Sequence, residues 1–176
     1  MSYSRNFGMR SFENVIRDGR FRAPKTGTPF LIGAPVALDT ANPGFLRLAT
    51  AAQAPSPLTG VAIFEHIQVK GVDTFLTDVR DAPFNSVPLG QYTQMMHGVG
   101  VKVWLKNTVT STLYDGRSQA GVSIISGAAP VVGNTLVPAG DGTWRVGATG
   151  ATTDTGWLFV EQVNPDSGLV EARFNF

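Results

Sequence analysis

One passage of this chain is written twice. "LIGAPVALDTANPGFLRLAT" (31–50) and "VVGNTLVPAGDGTWRVGAT" (131–149) follow one plan. Each enters on an apolar residue and Gly, and runs through a short apolar stretch into a Gly-containing turn. Each then meets an aromatic residue just before an Arg flanked by apolar side chains, and ends in Ala-Thr. The likeness continues in "TGVAIFEHI" (59–67) and "TGWLFVEQV" (155–163), with Thr59-Gly60 set against Thr155-Gly156, Glu65 against Glu161 and Ile67 against Val163. The unit is a hairpin plus a returning strand. It has one apolar face that it cannot bury alone, and two such units can bury theirs together. Two members are too few for a solenoid. The expectation is two β-meanders, about 31–70 and 131–170, sharing one core. Chance likeness between Gly-rich β sequences is the competing explanation.

Period-two alternation supports this. "GVGVKVWLK" places Val99, Val101, Val103 and Leu105 on one side, with Lys102, Trp104 and Lys106 on the other. "LVEARFNF" does the same with Val170, Ala172, Phe174 and Phe176 against Glu171, Arg173 and Asn175. Turn signals lie between the strands: Asn42-Pro43-Gly44, Tyr114-Asp115-Gly116, the hairpin pair Asp141-Gly142, and 164–168. Twenty Gly and eleven Pro favour many short elements. The fold class expected is mainly β: a compact antiparallel barrel or sandwich over 30–176. Residues 11–18 could form one or two helical turns before Pro24.

Glu65 and Glu161 interrupt this pattern, because each falls in phase with apolar neighbours on its strand. An unpaired carboxylate there is costly to bury. Either the strand leaves the core or bulges at that point, or each Glu meets an Arg across a sheet or subunit boundary.

Charge is scarce, 15% of residues against the usual ~25%, as in proteins that cover surface by associating. It is also uneven. Residues 1–30 hold six basic side chains against Glu13 and Asp18, so the leader is positive while the remainder is acidic. Four aromatics, Tyr3, Phe7, Phe12 and Phe21, are interspersed. Residues 1–29 therefore read as an extended basic and aromatic docking arm. Without a basic body it makes a weak nucleic-acid footprint. No apolar run approaches the ~20 residues that cross a bilayer, and the leader lacks the apolar core of a secretion signal. There is no Cys.

The chain shows no zinc-protease, phosphate-loop or nucleophile-elbow motif. Ser123 lacks the surrounding glycines and triad order. Asp73, Asp78 and Asp81 are the nearest thing to a carboxylate cluster, and a solvated loop with Arg80 explains them better. Asn164, Asp166 and Glu171 are too closely spaced for a calcium loop. His66 and His97 stand apart, His97 at a hairpin end. Trp104, Trp144 and Trp157 would suit a sugar platform, although Trp more often packs. The reading is a binding or scaffold protein without cofactor or metal, and not an enzyme.

"GAPVALDTANPGFLRLATAAQAPSPLTGVAIFEHI" resembles the small decoration, or cement, proteins of tailed-phage heads. "VGNTLVPAGDGTWRVGAT" with "TGWLFVEQVNPDSGLVEARFNF" is similar to the C-terminal portion of tailed-phage head proteins. The likeness spans roughly 27–70 and 131–176. It implies a small barrel or β-tulip-like body, and a virion role on the outer capsid surface after assembly in the host cytoplasm. The implied partner is the major capsid protein. Homo-oligomers, trimers favoured, are implied as well, with no direct nucleic-acid or membrane contact. The arm residues implied to touch the capsid are Arg5, Phe7, Arg10, Phe12, Arg17, Arg20 and Phe21. A tail-tube or head–tail joining protein, or a carbohydrate-binding module, are the alternatives.

Overall fold

The computed structural model describes residues 7–9, 16–22, 30–64, 86–87, 92–107, 110–112, 118–120, 123–148, 154–165 and 168–176. Among them there is no helix. The strands are β1 (Phe7–Met9), β2 (Ile16–Arg22), β3 (Phe30–Leu31), β4 (Pro35–Leu38), β5 (Leu46–Leu48), β6 (Thr59–Phe64), β7 (Ser86–Val87) and β8 (Tyr92–His97). They continue as β9 (Lys102–Lys106), β10 (Thr110–Thr112), β11 (Ser118–Ala120), β12 (Thr135–Pro138), β13 (Trp144–Val146), β14 (Leu158–Asn164) and β15 (Leu169–Phe174). A six-stranded sheet runs β1-β9-β15-β14-β12-β13, and a five-stranded sheet runs β2-β8-β6-β4-β5. Two short ribbons, β3–β7 and β10–β11, accompany them.

The two large sheets are antiparallel and form a sandwich. Ala49, Val61 and Met96 of the five-stranded side share one buried cluster with Val103, Leu136, Trp144, Leu158, Val160, Ala172 and Phe174 of the other. The barrel alternative is not what forms: each sheet ends on its own outer strands, β1 and β13 or β2 and β5. The alternation read from sequence holds, with Val101, Val103, Leu105, Val170, Ala172 and Phe174 all buried. Val99 instead sits exposed in the β8–β9 turn. Residues 16–18 extend strand β2 and do not form helical turns, because β8 supplies a ladder for them.

The two passages share a ladder pattern and individual hydrogen bonds. β4 pairs with both β5 and β6, as β12 pairs with β13 and β14. Gly33 N donates to Ala62 O, and Gly133 N to Val160 O. Ala34 N donates to Leu31 O, and Asn134 N to Val131 O. Both turn glycines have positive φ, 85° and 91°, a conformation that Gly adopts without cost.

The ladders correct the sequence alignment of the third strand. Val36 faces Gly60, whereas Leu136 faces Leu158, so Gly60 corresponds to Leu158 and not to Gly156. The second hairpin is shorter by two residues, but the connection that follows is equally long in both units, so setting Thr-Gly against Thr-Gly removes two residues too many. In the first unit Asp39 N donates to Phe45 O around residues 40–44; in the second Ala139 N donates to Thr143 O around only 140–142. Asp141-Gly142 thus lies in a three-residue loop and not a two-residue one. A slip of two residues preserves which side chains face which way, and this is why the pattern looked intact.

The units stack face to back. The first turns Val61 into the shared core, while its neighbour Ala62 joins Val36, Leu46 and Met95 in a second cluster. The second unit turns Val160, the counterpart of Ala62, into the shared core, leaving Phe159, the counterpart of Val61, exposed. Both buried tryptophans of the second unit reach backbone of the first: Trp144 Nε1 donates to Gly33 O at 2.8 Å and Trp157 Nε1 to Gln53 O at 2.6 Å. Their rings meet edge to face, 5.6 Å apart. Ala52 adopts φ of 53°, which costs a non-Gly residue roughly 1–2 kcal/mol. Its N–H donates to Pro138 O, a further tie between the units.

Candidate functional site

Of the arm residues read from sequence, Arg5, Arg10 and Phe12 lie outside the described residues. Phe7 stands opposite Leu105 in β1, and Arg17 opposite Met96 and Phe21 opposite Thr93 in β2. Arg20 falls within the irregularity between Asp18 and Phe21. The described parts of the leader are therefore outer strands, one on each large sheet. Outer strands rich in charge resist adding further strands, which fits Arg17, Arg20 and Arg22.

The outer face of the six-stranded sheet carries a cluster of ion pairs. Glu161 is the extra residue of a β-bulge between Val160 and Gln162. The bulge explanation holds for it, and its Oε atoms meet Lys102 Nζ at 2.7 Å and Arg173 Nε at 2.9 Å. The hydrogen bond from Lys102, then both positive charges, hold the Glu161 carboxyl below the ordinary carboxylate range. Glu65 lies outside the described residues. On the same face Trp104 stands half-buried, opposite Gly8 on one side and Glu171 on the other.

The repeated Arg has a structural use. Arg47 Nη1 donates to Leu48 O and, at 3.4 Å, to Gln53 Oε1, which also accepts from Thr50 N. Arg145 Nη1 donates to Val146 O and, with Nη2, forks onto Asp154 at 3.1 Å for each bond; Asp154 also accepts from Ala148 N at 2.8 Å. Each unit thus pins the loop after its hairpin with one guanidinium. The second does so with a bidentate ion pair, the stronger form. The Arg145 hydrogen bonds, then that from Ala148, lower the Asp154 pKa.

Among the described residues, those weighed for catalysis or ligand binding do not converge. Ser123 Oγ donates to Ile125 O at 2.7 Å and accepts from Ile125 N, as part of a backbone bend. His97 stacks on Phe176, centroids 6.0 Å apart. Trp144 and Trp157 are wholly buried, so they do not line a sugar platform with Trp104. Asp73, Asp78, Asp81, His66 and Asp166 lie outside the described residues, so the carboxylate cluster is not placed. No group of three His, Asp or Glu that could hold a metal ion occurs among the described residues.

Lys106 is the surprise. Alternation puts it with Lys102 on the outer side of β9, yet it is only 1% exposed and its Nζ has no hydrogen-bond partner. The segment around Ser123 and Ile124 bonds to its carbonyl and lies beside it. Burial lowers its pKa from 10.5. The folded state then binds fewer protons than the unfolded state between the lowered value and 10.5, so stability rises with pH across that window. Lys106→Met is expected to stabilise the protein by about 1–3 kcal/mol at neutral pH, because a buried unpaired polar group is removed. It should also abolish that slope. Urea titrations at neutral and alkaline pH measure both effects; a destabilised variant with the slope intact would contradict the assignment.

No protein-family model matches the chain, and no curated protein matches it in sequence.

Proposed function

We propose that this chain is a non-enzymatic virion protein that binds the outside of the mature tailed-phage head and stabilises the major-capsid lattice. The observation that carries this reading is where the resembling passages fall. Both coincide with the duplicated meanders, which lie one in each large sheet of the sandwich. Strand β2, an outer strand of the five-stranded sheet, carries Arg17, Arg20 and Arg22 along one sheet edge, which supports a docking role for the leader. A protein that binds only the assembled lattice stabilises it by mass action. Its own chemistry then reduces to shape, apolar anchors and charge.

Because β1 and β2 belong to the sheets, the test is substitution and not truncation. Arg5, Arg10, Arg17 and Arg20, all replaced by Ala, are expected to weaken binding to mature heads tenfold or more, since exposed charge contacts contribute roughly 0.2–1 kcal/mol each. Co-sedimentation of the full-length chain with purified heads reads this, with circular dichroism as the check on folding. Saturable binding to mature heads supports the proposal. Failure of the unaltered chain to co-sediment, or undiminished binding by the folded variant, contradicts the proposal or the role of the arm, respectively.

A further inference from the structure

We propose that the segment 123–126 is a proton-operated strap: it lies closed while Lys106 Nζ is uncharged and lifts when that amine takes up a proton. The segment crosses between β9 and β13, two strands that are not neighbours in their sheet. At one end Ile124 N donates to Lys106 O at 2.9 Å, and Ser123 Oγ donates to the same carbonyl at 3.3 Å. At the other end Trp144 N donates to Ile124 O at 2.8 Å, and Ser126 N to Trp144 O at 2.7 Å. Ser126 Oγ and Thr143 Oγ1 stand 2.8 Å apart. Strand β13 is outermost in the six-stranded sheet, and the strap takes up the N–H and C=O of its first residue, Trp144.

Ile124 and Ile125 are buried and hold the strap down. One group works against them. Lys106, whose carbonyl anchors the strap, is itself enclosed, and its Nζ has no partner. An ammonium enclosed without an anion is very costly, so the amine there sheds its proton. Its neighbours among the described residues do not relieve it. Leu169 stands opposite Lys106 on β15, and Ser123 Oγ is engaged with the carbonyls of Lys106 and Ile125. On the same side of β9 and β15, Lys102, Glu171 and Arg173 make no bond to Nζ, and Glu161 holds both Lys102 and Arg173. Asp141, which reaches the far end of the strap through Thr143, titrates below 3.8. Desolvation lowers the Lys106 pKa from 10.5, and lifting the strap returns the amine to water and to that value. The open state therefore binds a proton that the closed state excludes, over the window from the lowered value to 10.5. Within it the opening constant rises about tenfold for each unit of pH lost. As pH falls, the Trp144 end of β13 becomes an unpaired sheet edge. This device is independent of the capsid reading.

Hydrogen exchange of the full-length chain tests the proposal, read peptide by peptide by mass spectrometry between about pH 7 and 10. Observed rates divided by intrinsic ones give the opening constant at each pH. In the unaltered chain that of 123–126 is expected to fall about tenfold per pH unit through the window, while residues 158–160 of β14 stay protected. In Lys106→Met the strap is expected to stay shut without that slope, because the side chain keeps its length and carries no charge. Lys106→Arg stays charged across the range and is expected to hold the strap open, again without slope. Should Lys106→Arg fail to fold by circular dichroism, the comparison with Lys106→Met decides alone. An opening constant that does not change with pH in the unaltered chain overturns the proposal. So does a slope that persists in Lys106→Met, or one that residues 158–160 share, which would be unfolding of the whole domain.

Discussion

Trp144→Ala is expected to cost about 3–5 kcal/mol, a large part of the about 5–15 kcal/mol that holds a domain folded. The ring is fully buried at the centre of the inter-sheet cluster, against Trp157. Its removal opens a cavity that two tied sheets cannot collapse to fill. It also strands Gly33 O, whose partner is Trp144 Nε1. Trp144→Phe separates the two contributions. It keeps most of the apolar volume and loses the donor, so about 1–3 kcal/mol is expected from the unpaired carbonyl and the smaller ring together. Urea unfolding followed by tryptophan fluorescence, with Trp104 and Trp157 still reporting, measures both. A Trp144→Ala variant within 1 kcal/mol of the parent would mean that the sheets are not joined through this ring, since about 3 is the least that such a truncation costs.

Gly60→Ala is the second large effect, and it arises from lack of space. A methyl group there would stand 2.6 Å from Met95 Cγ and 2.7 Å from Met96 O. The methionine end can swing away, but the carbonyl belongs to the β6–β8 ladder and cannot move without breaking register. About 3 kcal/mol is expected, at the upper end of overpacking costs of roughly 1–3 kcal/mol. The second unit accepts Leu158 at the equivalent position because that face opens into the shared core. Thermal unfolding of Gly60→Ala reads this directly, and an unchanged midpoint would show that the closely packed β6–β8 pair is wrongly placed.

The sequence was most legible where local pattern and tertiary role agree. Val101, Val103 and Leu105 alternate with Lys102 and Trp104 because one face of β9 is core and the other is surface, and a period of two records that. The duplicated passages were legible because the same turns and the same Arg recur. The register of the third strand was not, since the two Thr-Gly dipeptides match two residues out of register, and a slip of two leaves the alternation of apolar and polar positions unchanged. Lys106 escaped notice because nothing in the sequence of β9 tells that Ser123 and Ile124, far along the chain, cover that end of the strand. Strand β2 was missed for a different reason. Arg17, Arg20 and Arg22 look like a solvated arm, and outer strands carry charge for reasons that resemble solvation. The exposed face of the second unit was also invisible in sequence: Val131 and Val132 read just as Leu31 and Ile32 do, and only the face-to-back stacking leaves one pair covered and the other open.

All of this depends on two copies of one meander sharing a single core. Differential scanning calorimetry of the full-length chain tests that most directly. One transition is expected, with calorimetric and van't Hoff enthalpies in agreement, because Trp144 and Trp157 tie each unit's unfolding to the other's. Two resolved transitions, one of them removed by Trp144→Ala while the other stays in place, would show two independent units and contradict the account.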